Sequence, residues 1–552
     1  MTSAAAAERI PPAGEGTAFT GTGRLAQFIL RRDRIRLGVW VGAIALLVVL
    51  FVSSLPQYYT EASQRQARAE LMANPGLRAI AGPGYGLDDY TFGAMVAQEF
   101  LSWTAIFVAL MSFLLMVRHT RAEEETGKAE LVRSAALGRH AHTAAPLVVL
   151  IGANLVLGGL IAVGLGSLGM EGVSWPSSWL FGAALASIGL VFTAVAAVTS
   201  QVSPGARGAA GLAGFGFAVA YLVRAAGDMS EVGGGFLSWL SPIGWAQQTR
   251  VYVDDRWWPL LLSVALTAVL VLVAFRLSTR RDFGAGLVQP RPGPARGSGL
   301  LSTPLGLAWR LQRTSLMWWG VSMFFFGVGY GALAGEVERY VGELSGAVQE
   351  WLEGIGGDAI IDSWLAVLAL LVGVTVAVFA VLAVLRPRNE EAAGRAEPVL
   401  ATSVSRVGWV MSHLAVALAG SVVILALAGL GLGISASAAL GDTSLMPRVV
   451  GATLVYIPAV WVTVGIGVVL FGLVPRATRL VWFVIAYAGL IGMFAELLGL
   501  PDWTVDLSPF GHVPLVPAVP VRWAPLAILT AIAAGLITLG LYGFRRRDLA
   551  AT

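Results

Sequence analysis

Residues 37–55 read LGVWVGAIALLVVLFVSSL, a run that contains no charged side chain. A helix that crosses the hydrocarbon core of a bilayer needs about 20 mostly apolar residues. This run is longer than the apolar core of a signal peptide, and no small-x-small cleavage site follows it. We therefore expect residues 37–55 to form a first membrane-spanning helix and not a removed leader.

The composition of the 552-residue chain predicts a membrane protein throughout. Hydrophobic residues make up 56% of the chain and charged residues 13%, whereas a soluble domain carries about 25% charged residues. The chain has no cysteine, which excludes disulfides, thiolate metal sites and cysteine nucleophiles. No His-Glu-x-x-His motif occurs either, so a zinc-protease site is not expected. We expect no catalytic residue, no metal site and no directly bound cofactor.

Apolar runs of spanning length recur along the chain in two groups of six. The predicted spans are 37–55, 100–117, 144–168, 179–200, 208–225, 258–276, 316–334, 364–385, 407–434, 449–474, 480–499 and 523–543. The sequence therefore predicts an all-α polytopic membrane protein with twelve transmembrane helices.

The distribution of charge orients these spans. With both termini in the cytoplasm, most of the 37 Lys and Arg residues fall in cytoplasmic segments, and most of the 33 Asp and Glu residues fall outside. An excess of Lys and Arg is typical of cytoplasmic loops. We therefore predict that both termini are cytoplasmic.

Three markers indicate that the second group of spans repeats the first in the same order and orientation. The matching pairs lie 266 or 267 positions apart: EETGKAE at 124–130 with EAAGRAE at 391–397, LSPIG at 240–244 with LSPFG at 507–511, and RRD at 280–282 with RRD at 546–548. Internal repeats of this kind are typical of transporters. We predict a six-helix half at 1–276, a Pro-, Gly- and Arg-rich cytoplasmic linker at 277–305, and a second six-helix half at 306–552.

Each half opens with an amphipathic stretch, residues 24–40 in the first and 305–319 in the second. We expect each to form an interfacial helix on the inner leaflet, although a basic flank that only sets topology is the alternative. Residues 336–358 carry an apolar stripe at helical spacing, which predicts an external helix.

The loop after the second span carries the pattern that indicates a function. It reads RHTRAEEETGKAELVRSAALGR over residues 118–139. Leu131, Ser134 and Leu137 recur at helical spacing, and Gly127 permits a sharp turn before them. We predict a short helix along the membrane face, with its charges free to meet a soluble partner. A solvated charge run that only fixes topology is the alternative.

This loop resembles the coupling-helix region of the type-2 ABC exporter permeases. The resemblance rests on the Glu-x-Gly-x-x-Glu-Leu pattern at residues 125–131, on the matching stretch at 391–397, and on Ser-Pro-x-Gly before the last span of each half. Six spans per half and an interfacial opening helix are also similar to that family. The fused twelve-span form is similar to the actinobacterial polyketide-antibiotic and multidrug exporters, the tetronasin-type permeases. Their likeness implies a bacterial cytoplasmic (inner) membrane.

The resemblance implies one ATPase-docking site in each half. The residues carried over are Glu124, Glu125, Gly127, Lys128, Glu130 and Arg139 in the first half, and Glu390, Glu391, Gly394, Arg395, Glu397 and Arg406 in the second. The copies differ, because Pro398 stands where the first half has Leu131. We expect the two docking sites to differ in strength.

The chain is expected to have no ATP-hydrolysing site of its own. A phosphate-binding loop reads Gly-x-x-x-x-Gly-Lys-Ser/Thr. Around the one Gly-Lys pair, at Gly127, Ala122 replaces the first glycine and Ala129 replaces the hydroxyl residue. The resemblance implies a separate ABC ATPase subunit, in two copies, that binds ATP and Mg²⁺. Charge reversal at Glu125 and Glu391 is then expected to abolish transport without unfolding the chain.

The resemblance places the substrate path between spans 2 and 5 of each half. The candidate lining residues are aromatic: Phe100, Trp103, Phe107, Phe217 and Tyr221 in the first half, and Trp364, Phe379, Phe483, Tyr487 and Phe494 in the second. For each of them, lipid contact or helix packing is the alternative.

Arg224 and Glu99 lie near span ends and are expected to face water, because charge at depth in a membrane is costly. Few charges within the spans favour an apolar or amphipathic substrate over a proton relay.

The favoured prediction is therefore the permease of an ABC exporter for antibiotics, drugs or lipids, with no nucleic-acid partner. A proton-coupled secondary multidrug transporter is the first alternative, although the Gly-x-x-x-Asp-Arg-x-Gly-Arg loop of the major-facilitator type is absent. A membrane enzyme is the second alternative. It would need converging carboxylates, for which Asp88-Asp89 and Asp254-Asp255 are the candidates.

Overall fold

The structure is a computed structural model of the chain. It describes residues 18–127, 130, 137–282, 284–288, 293, 295, 297–335, 360–495 and 500–547. These residues form helices, turns and irregular segments, and no β-strand occurs among them. The fold separates into two compact units, Met1–Pro292 and Gly293–Thr552.

The first unit contains eleven α-helices within its described residues. They are α1 Thr22–Tyr58, α2 Ala62–Met72, α3 Pro75–Ala81, α4 Phe92–Met95, α5 Leu101–His119, α6 Arg121–Glu125, α7 Ala141–Gly166, α8 Trp175–Val202, α9 Ala206–Ser230, α10 Pro242–Gln247 and α11 Pro259–Ser278. A π-helical turn, Val96–Phe100, joins α4 to α5, and a 3₁₀ turn, Phe236–Leu240, precedes α10.

The described residues of the second unit contain ten α-helices. They are α12 Pro304–Gly331, α13 Ile360–Val384, α14 Arg386–Ala392, α15 Ala396–Leu400, α16 Arg406–Leu440, α17 Leu445–Leu454, α18 Ile457–Leu473, α19 Val481–Phe494, α20 Asp502–Asp506 and α21 Trp523–Arg546. Two 3₁₀ turns, Gly299–Ser302 and Pro475–Leu480, precede α12 and α19.

Eleven helical segments in the described part of the chain are long and apolar enough to cross a membrane. They coincide with eleven of the twelve predicted spans, which confirms a polytopic, all-helical membrane protein. The exception is the predicted span 316–334, which lies in α12. This helix has 28 residues, but glycine, serine and tryptophan lower its hydropathy, so the twelfth span stays a prediction.

The spans pack in the same pattern within each unit. In the first, α7 (span 3) lies between α1 (span 1) and α8 (span 4), and α8 also contacts α5 (span 2) and α11 (span 6). In the second unit, α16 contacts α12, α13 and α17, while α18 contacts α13 and α21. Span 4 of each half thus touches spans 2 and 6 of the same half.

Small residues permit the closest of these contacts. Gly158 on α7 faces Gly182 on α8, and a Cβ atom at Gly158 would collide with the carbonyl oxygen of Gly182. Apolar side chains gain little from burial inside a membrane, so helices there associate through close backbone approach. This pair therefore allows spans 3 and 4 of the first half to pack in close contact.

The amphipathic stretch of each half is continuous with its first span. In the first half, α1 bends at Asp33, where φ is −107° and ψ is 18°, so residues 22–32 leave the direction of the span. In the second half the stretch is the beginning of α12. The predicted external helix at 336–358 lies outside the described residues.

Candidate coupling site

In the first half, the loop after span 2 is joined to the end of span 6 by a glutamate and an arginine. Span 2 ends at His119, and the short helix α6 carries Glu124 inward, where its side chain is 2% exposed. Arg281, three residues after the end of α11, donates to both carboxylate oxygens of Glu124, with distances of 2.8 and 2.6 Å. Two parallel bonds between a guanidinium and a carboxylate fix orientation as well as distance.

Arginines bound to Glu124 also contact the end of span 4. Arg281 Nε donates to Gln201 Oε1 at 2.6 Å, and Gln201 belongs to α8. A second guanidinium, that of Arg121, donates to Glu124 and through Nε to the carbonyl oxygen of Ser203 at 2.7 Å. The buried carboxylate is therefore held by two arginines, and three spans meet at this point.

The next residue, Glu125, contacts the beginning of a fourth span, span 5. Its Oε2 atom accepts a hydrogen bond from the backbone N–H of Ala206 at 3.0 Å, the first residue of α9 (span 5). A carboxylate at this position satisfies a free N–H group and complements the positive end of the helix dipole. Gly127 then reverses the chain with a φ of +71°, a conformation that glycine adopts without steric cost.

The second half repeats the glutamate–arginine pair. Arg547, the residue after α21, donates to Glu391 Oε1 at 2.7 Å and to Oε2 at 2.6 Å. Its guanidinium carbon lies 4.9 Å from the ring centroids of both Phe471 and Phe544. Phe471 belongs to α18, so this pair too joins the loop, the end of span 6 and span 4. We call Glu124–Arg281 and Glu391–Arg547 the two clamps.

Arg406 adds a further contact to the second clamp. Its Nη1 atom donates to the carbonyl oxygen of Arg547 at 3.0 Å, so the beginning of span 3 is tied to the end of span 6. The counterpart in the first half, Arg139, is exposed.

The tip of the second loop is built around Glu390. Arg395 Nε donates to Glu390 Oε2 at 2.6 Å, and this hydrogen bond raises the pKa of the exposed Arg395 guanidinium. Gly394 has a φ of +68°, nearly the value of Gly127, so both copies of the loop turn in the same way. Beyond the turn, Glu397 is exposed.

Apart from the half-buried Glu390 and the two turn glycines, the predicted docking residues that the structure describes divide into two sets. Glu124 and Glu391 point into the protein and are bound by arginines, which differs from the expectation that their charges would be free. The exposed set is Glu125, Glu130, Arg139, Arg395, Glu397 and Arg406. Lys128 and most of the helix predicted around Leu131 lie outside the described residues.

Sequence reasoning missed the two clamping arginines. In the sequence, Arg281 and Arg547 stand out only as markers of the repeat, although they recur at nearly the same offset as Glu124 and Glu391. Opposite charges that recur together in two halves of a chain are a signal of pairing. The burial that makes the pairs tight could not be read from the sequence.

A polar cavity of about 580 Å³ lies beside the first clamp. Glu124 and Arg281 form part of its wall, together with His142, Arg139 and Asp282. Within the described part of the chain, no three His, Asp or Glu side chains cluster as metal ligands do.

The candidate substrate-path aromatics have varied environments. In the first half, Phe217 packs edge-on against Phe192 at 5.2 Å, and the Tyr221 hydroxyl donates to the carbonyl oxygen of Ile80 at 3.0 Å. Trp103 and Phe107 are exposed, and Phe100 is half-buried.

In the second half, Phe379 is buried and packs against Trp319, while Phe483 is 71% exposed. The Tyr487 hydroxyl donates to the carbonyl oxygen of Thr504 at 2.7 Å. Trp364 is half-buried, and the side chain of Phe494 lies outside the described part of the structure. The assignment of these ten aromatics to a substrate path stays a prediction.

The expectation that Arg224 faces water is wrong. Its side chain is fully buried, and Nη1 donates to Asp228 Oδ2, also fully buried, at 3.0 Å. Arg224 Nη2 donates to the carbonyl oxygen of Ala79 at 2.8 Å, and Ser238 Oγ donates to Asp228 Oδ1 at 2.6 Å. The charge is tolerated because a carboxylate four residues along α9 and a backbone carbonyl replace water.

Glu99 lies partly exposed in an ion pair of its own. Arg68 on α2 donates to both of its oxygens, at 3.1 and 2.7 Å, and the Tyr90 hydroxyl donates to Glu99 Oε1 at 3.2 Å. The pair anchors a helix of the loop between spans 1 and 2 to the beginning of span 2.

Comparison with known proteins identifies the family of the chain. The sequence model of the family described as "Multidrug efflux system permease Rv1217c, C-terminal domain" matches residues 25–277 and, a second time, residues 301–545. The chain is also similar to the multidrug efflux system permease protein Rv1217c of Mycobacterium tuberculosis (strain ATCC 25618 / H37Rv). The two are 40% identical over 551 residues, which cover 98% of each chain. This multi-pass membrane protein therefore belongs to the family of Rv1217c-type multidrug efflux permeases.

Proposed function

We propose that this chain is the membrane-spanning subunit of an ATP-driven exporter that expels hydrophobic or amphipathic compounds such as antibiotics, drugs or lipids. A separate ABC ATPase subunit, in two copies, would bind ATP and Mg²⁺ and dock on the two loops. Both termini and the 277–305 linker would face the cytoplasm of a bacterium. The finer assignment to the tetronasin-type subgroup belongs to the same proposal.

The observation that carries the proposal is the duplicated clamp. An ATPase that pushes on the loop after span 2 must transmit force to the membrane helices. Glu124 and Glu391 bind Arg281 and Arg547 through two hydrogen bonds each, and each arginine lies within three residues of the end of span 6. A movement of either loop would therefore shift span 6 and its neighbour span 4 as one body.

The separation of buried from exposed charges also fits docking. Glu130 and Glu397 occupy the same position in the two copies and are both exposed. Exposed charges steer a partner and set its register, whereas a buried pair maintains shape. We therefore assign docking to Glu130 and Glu397, and force transmission to the two clamps.

The first experiment is affinity purification of the full chain from its native host in mild detergent. We expect an ATP-binding-cassette subunit at two copies per permease, with ATPase activity in the complex. The double variant Glu130→Lys and Glu397→Lys should release this subunit and abolish efflux. Glu70→Lys, at an exposed position on α2, is the matched control and should retain both.

Normal efflux by the Glu130→Lys/Glu397→Lys variant would refute the assignment of these two residues to docking. A chain that purifies alone, and whose transport survives ATP depletion, would refute the proposal of an ATP-driven exporter. The charge reversal predicted from sequence at Glu391 is a poorer test, because Glu391 also holds Arg547 in place.

A proton-coupled secondary transporter is the second candidate. The observation that favours it is the fully buried Arg224–Asp228 pair inside span 5, since buried ionisable groups in spans often serve proton relays. Efflux that follows the proton gradient, and that Asp228→Asn abolishes while ATP depletion has no effect, would support this alternative.

A further inference from the structure

An apolar cavity of about 790 Å³, open on one side, lies in the second unit, and the sequence did not indicate it. Helix α17 and the beginning of α18 contribute one part of the lining, the first turns of α21 another, and the loop at residues 516–521 a third. Small-molecule sites are usually clefts of about 300–1,000 Å³. The cavity therefore has the size of a site for a drug-like molecule.

The walls determine which molecules would fit. Nearly all lining side chains are apolar, among them Leu454, Ile457, Leu526 and Trp523, and four prolines stiffen the walls: Pro447, Pro458, Pro517 and Pro520. Proline fixes φ and has no N–H group to leave unpaired. A rigid apolar wall loses little conformational entropy when a ligand binds, which favours tight binding of a hydrophobic molecule.

One charged residue, Arg448, lies in the wall. Its Nη2 atom donates to Asp362 Oδ2 at 2.6 Å, so the pair is formally neutral, and the guanidinium retains further N–H groups that can meet an acceptor. A ligand therefore needs no net negative charge, but a hydroxyl or carbonyl oxygen near Arg448 would be recognised. The ligand that best matches this lining is an uncharged amphipathic molecule.

The cavity lies at the end of the second unit that is far from the clamp. Helix α21 begins at Trp523 beside the cavity and ends at Arg546, next to Arg547 of the clamp. Its 24 residues span roughly 36 Å at 1.5 Å per residue. The same helix therefore joins the cavity to the loop assigned to ATPase docking.

We propose that this cavity binds an uncharged amphipathic molecule of the kind that the protein exports, close to its point of release. The inference rests on the proposed function for the identity of the ligand, but binding itself requires no ATPase. Because α21 lines the cavity at one end and carries the clamp at the other, a shift of span 6 would change the shape of the site.

Two glycines provide a matched pair of variants. A Cβ atom at Gly451, in the cavity wall, would meet no atom within 4 Å, and the same holds at Gly535 on α21, which is absent from the lining. Gly451→Phe should fill the cavity without straining the fold. Gly535→Phe adds the same bulk on an exposed face and is the control.

The experiment uses the full chain, purified without an ATPase, in phospholipid nanodiscs. The probe is a benzyl alcohol that carries an aryl trifluoromethyl diazirine, with unmodified benzyl alcohol as competitor. We expect saturable, competed photolabelling of residues 445–458 and 516–530, mapped by mass spectrometry. Gly451→Phe should abolish the saturable labelling, and Gly535→Phe should retain it at the level of the unmodified chain.

Labelling that does not saturate, or that Gly451→Phe leaves unchanged, would overturn the proposed site, because the probe would then report only contact with lipid. That result would leave ATP-driven export intact. In contrast, saturable labelling of a chain that proves to have no ATPase partner would retain the site and refute the energy source.

Discussion

Arg547 holds both carboxylate oxygens of Glu391, at 2.7 and 2.6 Å, immediately after the last span ends. The side chains are 14% and 9% exposed, so the pair is largely shielded from water. An exposed ion pair is worth about 0–1 kcal/mol, whereas loss of one partner of a buried pair costs about 3–5 kcal/mol. The clamps are therefore among the sites where single substitutions should have large effects.

The first prediction concerns the clamp of the first half. Glu124→Gln removes a charge that faces both Arg281 and Arg121 and leaves two guanidiniums without a counter-charge. We expect about 3 kcal/mol less stability, measured as a lower midpoint of thermal unfolding in detergent. Glu130→Gln, at an exposed position of the same loop, should leave the midpoint unchanged. Equal midpoints for the two variants would show that the buried pair contributes nothing.

A double-mutant cycle tests whether Glu391 and Arg547 act as a pair. Glu391→Gln and Arg547→Gln should each lower stability and efflux, because each leaves its partner unpaired. The double variant should lose less than the sum of the single losses, with a coupling energy of about 0.5–3 kcal/mol. Unfolding midpoints of the four proteins give that energy. Strictly additive losses would contradict direct pairing.

Glu125 should stabilise the beginning of span 5. Glu125→Ala removes the acceptor of the Ala206 N–H group, and loss of a helix cap costs about 1 kcal/mol. Hydrogen exchange should become faster at the amides of the first turn of α9 and remain unchanged in α11. Unaltered exchange at Ala206 would mean that the carboxylate does not cap the helix. Glu130→Ala, the same change at another glutamate of this loop, is the control.

For the buried Arg224–Asp228 pair in span 5, loss of both charges should lower stability less than loss of either charge alone. At the equivalent positions 267 residues later the chain has Ile491 and Ala495, so the fold tolerates apolar residues there. Arg224→Ile and Asp228→Ala alone should each destabilise by about 3–5 kcal/mol, because each leaves a buried charge unpaired. The double variant should be more stable than either single one. A lower midpoint of thermal unfolding for the double variant than for either single variant would contradict this prediction.

The same pair shows where sequence reasoning failed and why. Position near a span end indicated that Arg224 faces water, but α3, α9 and the turn before α10 enclose it completely. Burial depends on which segments come together, and those segments lie up to about 150 positions apart in the chain, as the contact of Arg78 with the carbonyl oxygen of Asp228 illustrates.

The membrane class, the position of eleven spans and the repeat could be read from the sequence, because apolar length and matching stretches are visible in the order of the residues alone. The sequence also located both loops through Gly127 and Gly394, whose turns need a positive φ. Which charges in those loops are exposed and which are buried depends on how the spans pack in three dimensions. Glu124 and Glu391 are bound inside because Arg281 and Arg547, more than 150 positions away, arrive at the same place when spans 2, 4 and 6 pack. Pairing across that distance follows from three-dimensional packing, and no local pattern encodes it.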